Sequence, residues 1–393
     1  MGRPLDDPEA SGRLLFVAAL LFGALLRLVL LGAPDLFGAD EGVWAVGARN
    51  LAEDGFKQAI ALARTPFGPP AGVPVLFPWL LSLMIRIFGP VEWCLRLPSA
   101  FAGLAGAFVL ERIVRRGYGQ PAGHIAGAFA AIFPPLVMGS RAATVEPTLV
   151  ALGLGGIIFG LRAFEEDVVW EAGAAGALFG LGFLAKGYAV GLFLAPLLAA
   201  LFARPSVLGL GRTKRSLVAL LGAFVLVGGS HLALTAAVAP EAFRTELATD
   251  FGASALAVEA AMQPTAFGAD LKTIVKTLFL FLPLVGLGVA FVSRRVGEPE
   301  VSSGATGGER RLSHGALWAA YGVELLAVVA IAGRLKLSAI PVLPALAAFA
   351  GFGGAALLQP SPDAARRRRE VMSVVVAGVL VLGSALVLMS APD

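Results

Sequence analysis

A few charged groups in an otherwise apolar chain have the types and spacing to do chemistry. Phe37-Gly38-Ala39-Asp40-Glu41-Gly42 puts two carboxylates side by side. A carboxylate so placed can take a proton from an attacking hydroxyl or amine, the work of a general base. Ser140-Arg141-Ala142-Ala143-Thr144-Val145-Glu146-Pro147 brings a guanidinium and a third carboxylate. Ala185-Lys186-Gly187 sets a lone ammonium at the tip of a very apolar hairpin, and Arg334-Leu335-Lys336, followed by Pro341 and Pro344, ends another apolar stretch. Such cations could hold an anionic lipid head group. Asp40, Glu41 and Glu146 could also supply oxygen ligands to a divalent ion, though three acids in a sequence fix no geometry.

Each group has a plainer reading. Asp40 and Glu41 can cap the first turn of a helix that continues through Val43, Trp44, Val46, Ala48 and Leu51, since acids there oppose the helix dipole. Pro147 can open a helix at its first position, leaving Arg141 and Glu146 in a solvated turn. Lys186 can snorkel to an interface, and Arg334 and Lys336 can be ordinary flanking charges. Glu324 stands apart, about the middle of an apolar run. A buried intramembrane acid is a functional candidate by default; here it can equally partner a polar group on a neighbouring helix.

The elements that must position these groups are hydrophobic helices. Of 393 residues, 57% are hydrophobic and 15% charged. Soluble chains run nearer 45–50% apolar and about 25% charged. This excludes an ordinary soluble enzyme, a disordered chain and a coiled coil, and predicts an all-α polytopic membrane protein. A span needs about 20 apolar residues. Eleven stretches qualify: 14–33, 95–110, 122–139, 148–164, 172–185, 189–202, 217–239, 273–292, 315–333, 339–358 and 371–389. The first is too long for a signal-peptide core and reads as a retained span.

Basic clusters set the orientation. Arg112, Arg115 and Arg116; Arg212, Lys214 and Arg215; Arg294, Arg295, Arg310 and Arg311; and Arg366 to Arg369 all fall on the cytoplasmic side only if the stretch 73–88 does not cross. That stretch carries Pro74, Pro78, Trp79 and Arg86 and reads as an interfacial helix on the outer face. The expected organisation is a cytoplasmic tail 1–13 and one transmembrane domain 14–391. The domain has outer loops at 34–93, with surface helices, and 240–272, and a Gly/Ser-rich cytoplasmic linker at 294–314. Asp40, Glu41, Arg141, Glu146, Lys186, Arg334 and Lys336 then share the outer face. With these spans taking most of the chain, no stretch is left for a large soluble outer domain. Acceptor recognition is therefore expected from the outer loops or a partner.

Other classes find no support. The net charge, 31 − 27 = +4, is too small for nucleic-acid binding. Cys94 is the sole cysteine, and His124, His231 and His314 are far apart, so no zinc spacing exists. No inverted repeat of the transporter kind is present.

With those residues in view, the chain resembles the GT-C superfamily of bacterial membrane glycosyltransferases, in the branch of protein mannosyltransferases and aminoarabinose transferases. Asp40-Glu41 followed by Ala48-Arg49-Asn50-Leu51 resembles the family's first-loop acidic motif and surface helix. Pro74-Val75-Leu76-Phe77-Pro78-Trp79-Leu80-Leu81 is similar to a Lys-Pro-Pro-Leu segment. Phe88-Gly89 with Leu95-Arg96-Leu97-Pro98-Ser99-Ala100 resembles a Gly…Arg-Leu-Pro-Ser-Ala step. Ser140-Arg141 with Glu146 is similar to the second acidic motif, where Asp is usual. Leu184-Ala185-Lys186-Gly187 resembles Leu-Thr-Lys-Gly, and Lys336 with Pro341-Val342-Leu343-Pro344-Ala345-Leu346 resembles the late Lys…Pro-x-x-Pro-Ala-Leu element. The matches occur in family order from about residue 14 to 350.

The resemblance implies an enzyme that moves a sugar from a polyprenyl-phosphate donor to an acceptor protein, lipid or glycan at the outer face of the bacterial inner membrane. Configuration inverts, and Asp40 is the general base beside Glu41 and Glu146. It implies donor-phosphate contacts from Lys186, Arg141, Lys336 and Arg334. Two family cations are missing: Val73 stands where a lysine precedes Pro-Pro-Leu, and Gly42-Val43 where aminoarabinose transferases carry an arginine. Arg64 is the candidate replacement for either, and the missing arginine argues against aminoarabinose transfer to lipid A. A divalent ion held by Asp40 and Glu146 stays open. The competing expectations are a transporter or lipid flippase, motivated by Glu324 and the outer charges, and a non-catalytic scaffold of the same fold.

Overall fold

The computed structural model describes residues 8–32, 38–62, 76–186, 190–203, 213–238, 314–324 and 343–358. Among them no strand occurs. The helices are α1 (Pro8–Leu28), α2 (Gly38–Leu62), α3 (Leu76–Phe88), α4 (Glu92–Tyr118), α5 (Gln120–Ile132), α6 (Pro134–Arg141), α7 (Glu146–Glu166), α8 (Val169–Lys186), α9 (Gly191–Phe202) and α10 (Thr213–Val238). Two more are α11 (314–324) and α12 (Leu343–Leu358). The expected spans 273–292 and 371–389 and the outer loop 240–272 lie outside the described residues, as does the linker 294–314 up to His314. Of the expected tail 1–13, residues from Pro8 onward already belong to α1.

Where described, the helices differ from the expected spans for physical reasons. The first ends earlier than 33, because Leu30 takes a left-handed φ of 53° and turns the chain. The stretch 95–110 belongs to the longer α4. Its arginines are not in a loop but on the last turns, held by acids: Arg115 lies 3.3 Å from Glu111, and Arg116 2.7 Å from Glu165 and 2.6 Å from Glu166 on α7. The stretch 122–139 is two helices, α5 and α6, meeting at 50°. Pro134 and Pro135 cause the break, since neither can donate to the turn before it.

Gly119 joins α4 to α5 in one residue. Its φ of 88° and ψ of 173° suit glycine, and its N–H donates to Arg115 O at 2.9 Å to close α4. A large apolar core fills the space between α4, α5, α7, α8, α9, α11 and α12, with Leu110, Leu149, Phe179, Phe193, Trp318 and Phe352 fully buried. Helices approach closely where glycines face neighbours. A Cβ on Gly176 of α8 would stand 2.0 Å from Leu220 O of α10, so only glycine fits this contact.

A second, smaller apolar cluster lies apart from this core. It joins Ala48 of α2, Phe77 and Leu81 of α3, Cys94 and Leu95 of α4, Ala143 and Val145 of the α6–α7 connection, and Ala185 of α8. Trp44 meets Phe77 edge-on with ring centroids 5.5 Å apart. On the other side of α3, Trp79, Leu83 and Ile87 are exposed at a four-residue spacing, an apolar stripe on one helical face. Among the described residues, α4 and α7 are long and apolar enough to cross a membrane, and the bent pair α5–α6 is so only if its two helices are taken together as one broken span.

Candidate functional site

The second cluster sets the candidate residues. Glu41, in the first turn of α2, is almost fully buried. Its Oε1 and Oε2 each accept from Arg96 of α4, from Nε and Nη2 at 3.1 Å, a two-pronged ion pair whose side chains are both 2% exposed. Oε1 also accepts from the backbone N–H of Ala143 at 2.5 Å. Arg96 Nη1 donates to Leu31 O at 2.8 Å, at the end of the α1 region. One turn along α4, the Ser99 hydroxyl donates to Thr144 O at 2.7 Å. Arg96 and Ser99 share a helical face, and together they tie the start of α2 and the 142–145 segment to α4.

That segment ends in Glu146, the first residue of α7. Lys186 closes α8. Their side chains meet, Lys186 Nζ to Glu146 Oε1, at 2.5 Å. The lysine is 30% and the glutamate 13% exposed, so the pair is partly open rather than sealed. The flanking residues Val145 and Ala185 both belong to the cluster that holds Ala48 of α2. Asp40 lies in the first turn of α2, next to Glu41; described side chains in α2 begin at Glu41. Two of the expected site residues are thus in direct contact, and a third is joined to their segment through Ala143.

Arg141 meets the end of α1. Its Nη1 donates to Leu26 O and, at 3.0 Å, to Val29 O, and its Nη2 to Leu30 O at 3.4 Å. These are carbonyls left open where α1 ends, so in this structure the guanidinium caps a helix. Arg64, Arg334 and Lys336 lie outside the described residues. Glu324 is on α11, one turn beyond Tyr321, whose ring packs against Phe193 of α9; its Oε2 is buried.

Among the described residues, no three His, Cys, Asp or Glu side chains gather as a metal site. Glu41 faces a guanidinium and an N–H, and Glu146 faces an ammonium. The Asp40 side chain, expected beside Glu146 at any such ion, lies outside the described residues.

One positioning residue escaped the sequence reading. Arg27, 0% exposed in α1, donates from Nη1 to Ala131 O at 2.5 Å and from Nε to Ser140 Oγ at 2.8 Å. Ala131 O would normally accept from the N–H four residues on, but that residue is Pro135. The arginine supplies the missing donor and grips α6. The signal was available: a charge inside an apolar span is costly unless it has a task, and the paired prolines leave carbonyls that need donors.

With the geometry in place, the helical architecture can be set beside known proteins: its fold is that of the membrane enzymes ArnT and AglB, and its apolar helices are those of an integral membrane protein. A family model described as dolichyl-phosphate-mannose-protein mannosyltransferase matches residues 72–232. YycA of Bacillus subtilis (strain 168), named as a candidate mannosyltransferase, is 34% identical over 114 residues, which are 29% of this chain and 16% of YycA. Among solved structures, ArnT from Cupriavidus metallidurans bound to undecaprenyl phosphate superposes with a TM-score of 0.64 at 18% identity, covering 97% of this chain. The archaeal oligosaccharyltransferase AglB from Archaeoglobus fulgidus, in complex with an inhibitory peptide and a dolichol-phosphate, gives 0.56 at 14% identity and 93% coverage. The chain spans 66% of the ArnT chain and 54% of AglB.

Proposed function

We propose that the protein is an inverting glycosyltransferase that moves a sugar from a polyprenyl-phosphate donor to an acceptor on a protein, lipid or glycan. The observation that carries this reading is the Lys186–Glu146 contact, built on the segment that Glu41 and Arg96 pin beside Asp40. The similarity to ArnT with undecaprenyl phosphate, and to AglB with dolichol-phosphate and a peptide, supports a lipid-phosphate donor and a separate acceptor.

In this reading Asp40 is the general base. The acceptor hydroxyl or amine attacks C1 of the sugar from the face opposite the phosphate. The bond from C1 to the phosphate oxygen breaks, its electrons stay on that oxygen, and the acceptor proton passes to the Asp40 carboxylate. The base must come within about 2.6–3.2 Å of the attacking atom. Charge grows on the leaving phosphate, and a preorganised cation stabilises it there. Lys186 takes that role, at the end of a helix anchored by Ala185. Glu146 holds the lysine while the site is empty. Glu41 with Arg96 holds the first turn of α2, and so sets where the Asp40 backbone stands. Arg64, Arg334 and Lys336 remain candidates for further phosphate contacts, and Arg141 serves by fixing α1 to α6.

The same reading puts about eleven spans in the inner membrane of a bacterium, the N-terminus in the cytoplasm and the site facing outward, with α3 lying in the outer interface on its Trp79, Leu83 and Ile87 stripe. Purified protein should transfer labelled sugar from a polyprenyl-phosphate donor. Movement of the lipid across a liposome membrane with no covalent change would instead favour a flippase.

A further inference from the structure

The Lys186–Glu146 pair sets up a competition. If the lysine holds the donor phosphate, its carboxylate partner is a rival anion already in place. We propose that Glu146 competes with the lipid phosphate for Lys186, and that its return to the lysine helps expel the spent polyprenyl phosphate. This rests on the reading of Lys186 as the phosphate cation.

The geometry supports a reversible exchange. The two charged atoms are 2.5 Å apart and the side chains are 30% and 13% exposed, so a ligand can reach the lysine without unpacking the fold. Glu146 stands in the first turn of α7, where the positive end of the helix favours a carboxylate. It therefore waits close by when displaced. The helices that carry the pair are fixed against each other. A Cβ on Gly156 of α7 would stand 2.6 Å from the Phe179 ring of α8, and one on Gly182 of α8 3.6 Å from Leu149 of α7. What can move is the long lysine side chain, between two anions at the end of a rigid seam.

The chemistry gives the exchange a direction. The donor is a phosphodiester with one negative charge. Transfer breaks the C1–O bond and leaves the electron pair on the phosphate, so the product is a monoester. Near neutral pH a phosphate monoester carries about −1.5 to −2. A lone lysine would thus bind the product more tightly than the donor, and each turnover would end with a trapped lipid. A tethered carboxylate weakens both complexes and restores the empty site.

The test is binding of undecaprenyl phosphate to the full-length protein in detergent, for wild type, Glu146→Gln, Lys186→Met and the double variant. The expected result is affinity roughly tenfold tighter for Glu146→Gln, a change of about 1.4 kcal/mol. Lys186→Met binds more weakly, and the double variant matches Lys186→Met, because Glu146 then has nothing to compete for. Damage to the fold would not tighten binding. Glu146→Asp, which draws the carboxylate back by one methylene, moves in the same direction by less and serves if the glutamine variant does not fold. Unchanged or weaker binding in the Glu146 variants, with Lys186→Met still impaired, overturns the competition and leaves the donor reading standing. Wild-type affinity in Lys186→Met overturns the role of the lysine, and the competition with it.

Discussion

Lys186 Nζ and Glu146 Oε1 lie 2.5 Å apart and join the last residue of α8 to the first residue of α7. The contact sits on the cluster that also holds α2, so the acidic start of that helix and the lysine belong to one structural unit. Removing the lysine charge removes the cation that meets the leaving phosphate. Lys186→Met should lower sugar transfer by about 10²–10³-fold, the range for loss of one preorganised donor to developing charge. Initial rates with labelled donor check this, and activity within a few-fold of wild type contradicts it.

The Glu41–Arg96 pair is buried on both sides, so breaking it strands a charge. Arg96→Met or Glu41→Gln should each destabilise the protein by about 3–5 kcal/mol, whereas replacing both should cost less than the sum of the two. Thermal melting in detergent measures the cycle. Arg96→Lys should rescue only in part, because an ammonium cannot bridge both carboxylate oxygens as the fork of arginine does.

Arg27 answers a carbonyl that proline leaves open. Arg27→Met should destabilise by about 1–3 kcal/mol, the cost of an unsatisfied buried polar group. Pro135→Ala, which gives residue 135 an N–H, should reduce that loss when added to Arg27→Met. Melting temperatures of the single and double variants decide it; equal losses in both backgrounds would contradict the assignment.

Gly119 has a backbone that other residues avoid and open space where a Cβ would point. Gly119→Ala should therefore destabilise through conformation alone, by about 1–3 kcal/mol. A melt indistinguishable from wild type would contradict this.

Much of the architecture was legible because apolar content forces helices, and because Asp40-Glu41, Glu146 and Lys186 stand out against it. Their contacts were less legible. Glu41 and Arg96 are 55 residues apart, and Glu146 and Lys186 are 40 apart. Periodicity carries no information at such range, and only the packing of Ala143, Val145 and Ala185 brings the pairs together. Arg141 stands beside an acidic motif, and its contacts with the carbonyls at the end of α1, more than a hundred residues earlier in the chain, were likewise beyond the reach of periodicity. The stretch 122–139 reads as one span because its prolines sit within an unbroken apolar run. The 50° bend follows from those prolines, and Arg27 satisfies the carbonyl that the second one leaves open.

The central claim is that Asp40 takes the acceptor proton during transfer from a polyprenyl-phosphate sugar. Asp40→Asn keeps the shape of the side chain and removes the base. The most direct measurement is the rate of labelled-sugar transfer by this variant, alongside its melting temperature and its binding of undecaprenyl phosphate. The account predicts a loss of about 10²–10⁴-fold, the usual contribution of a general base, with folding and lipid binding kept. Full transfer activity in Asp40→Asn would contradict it.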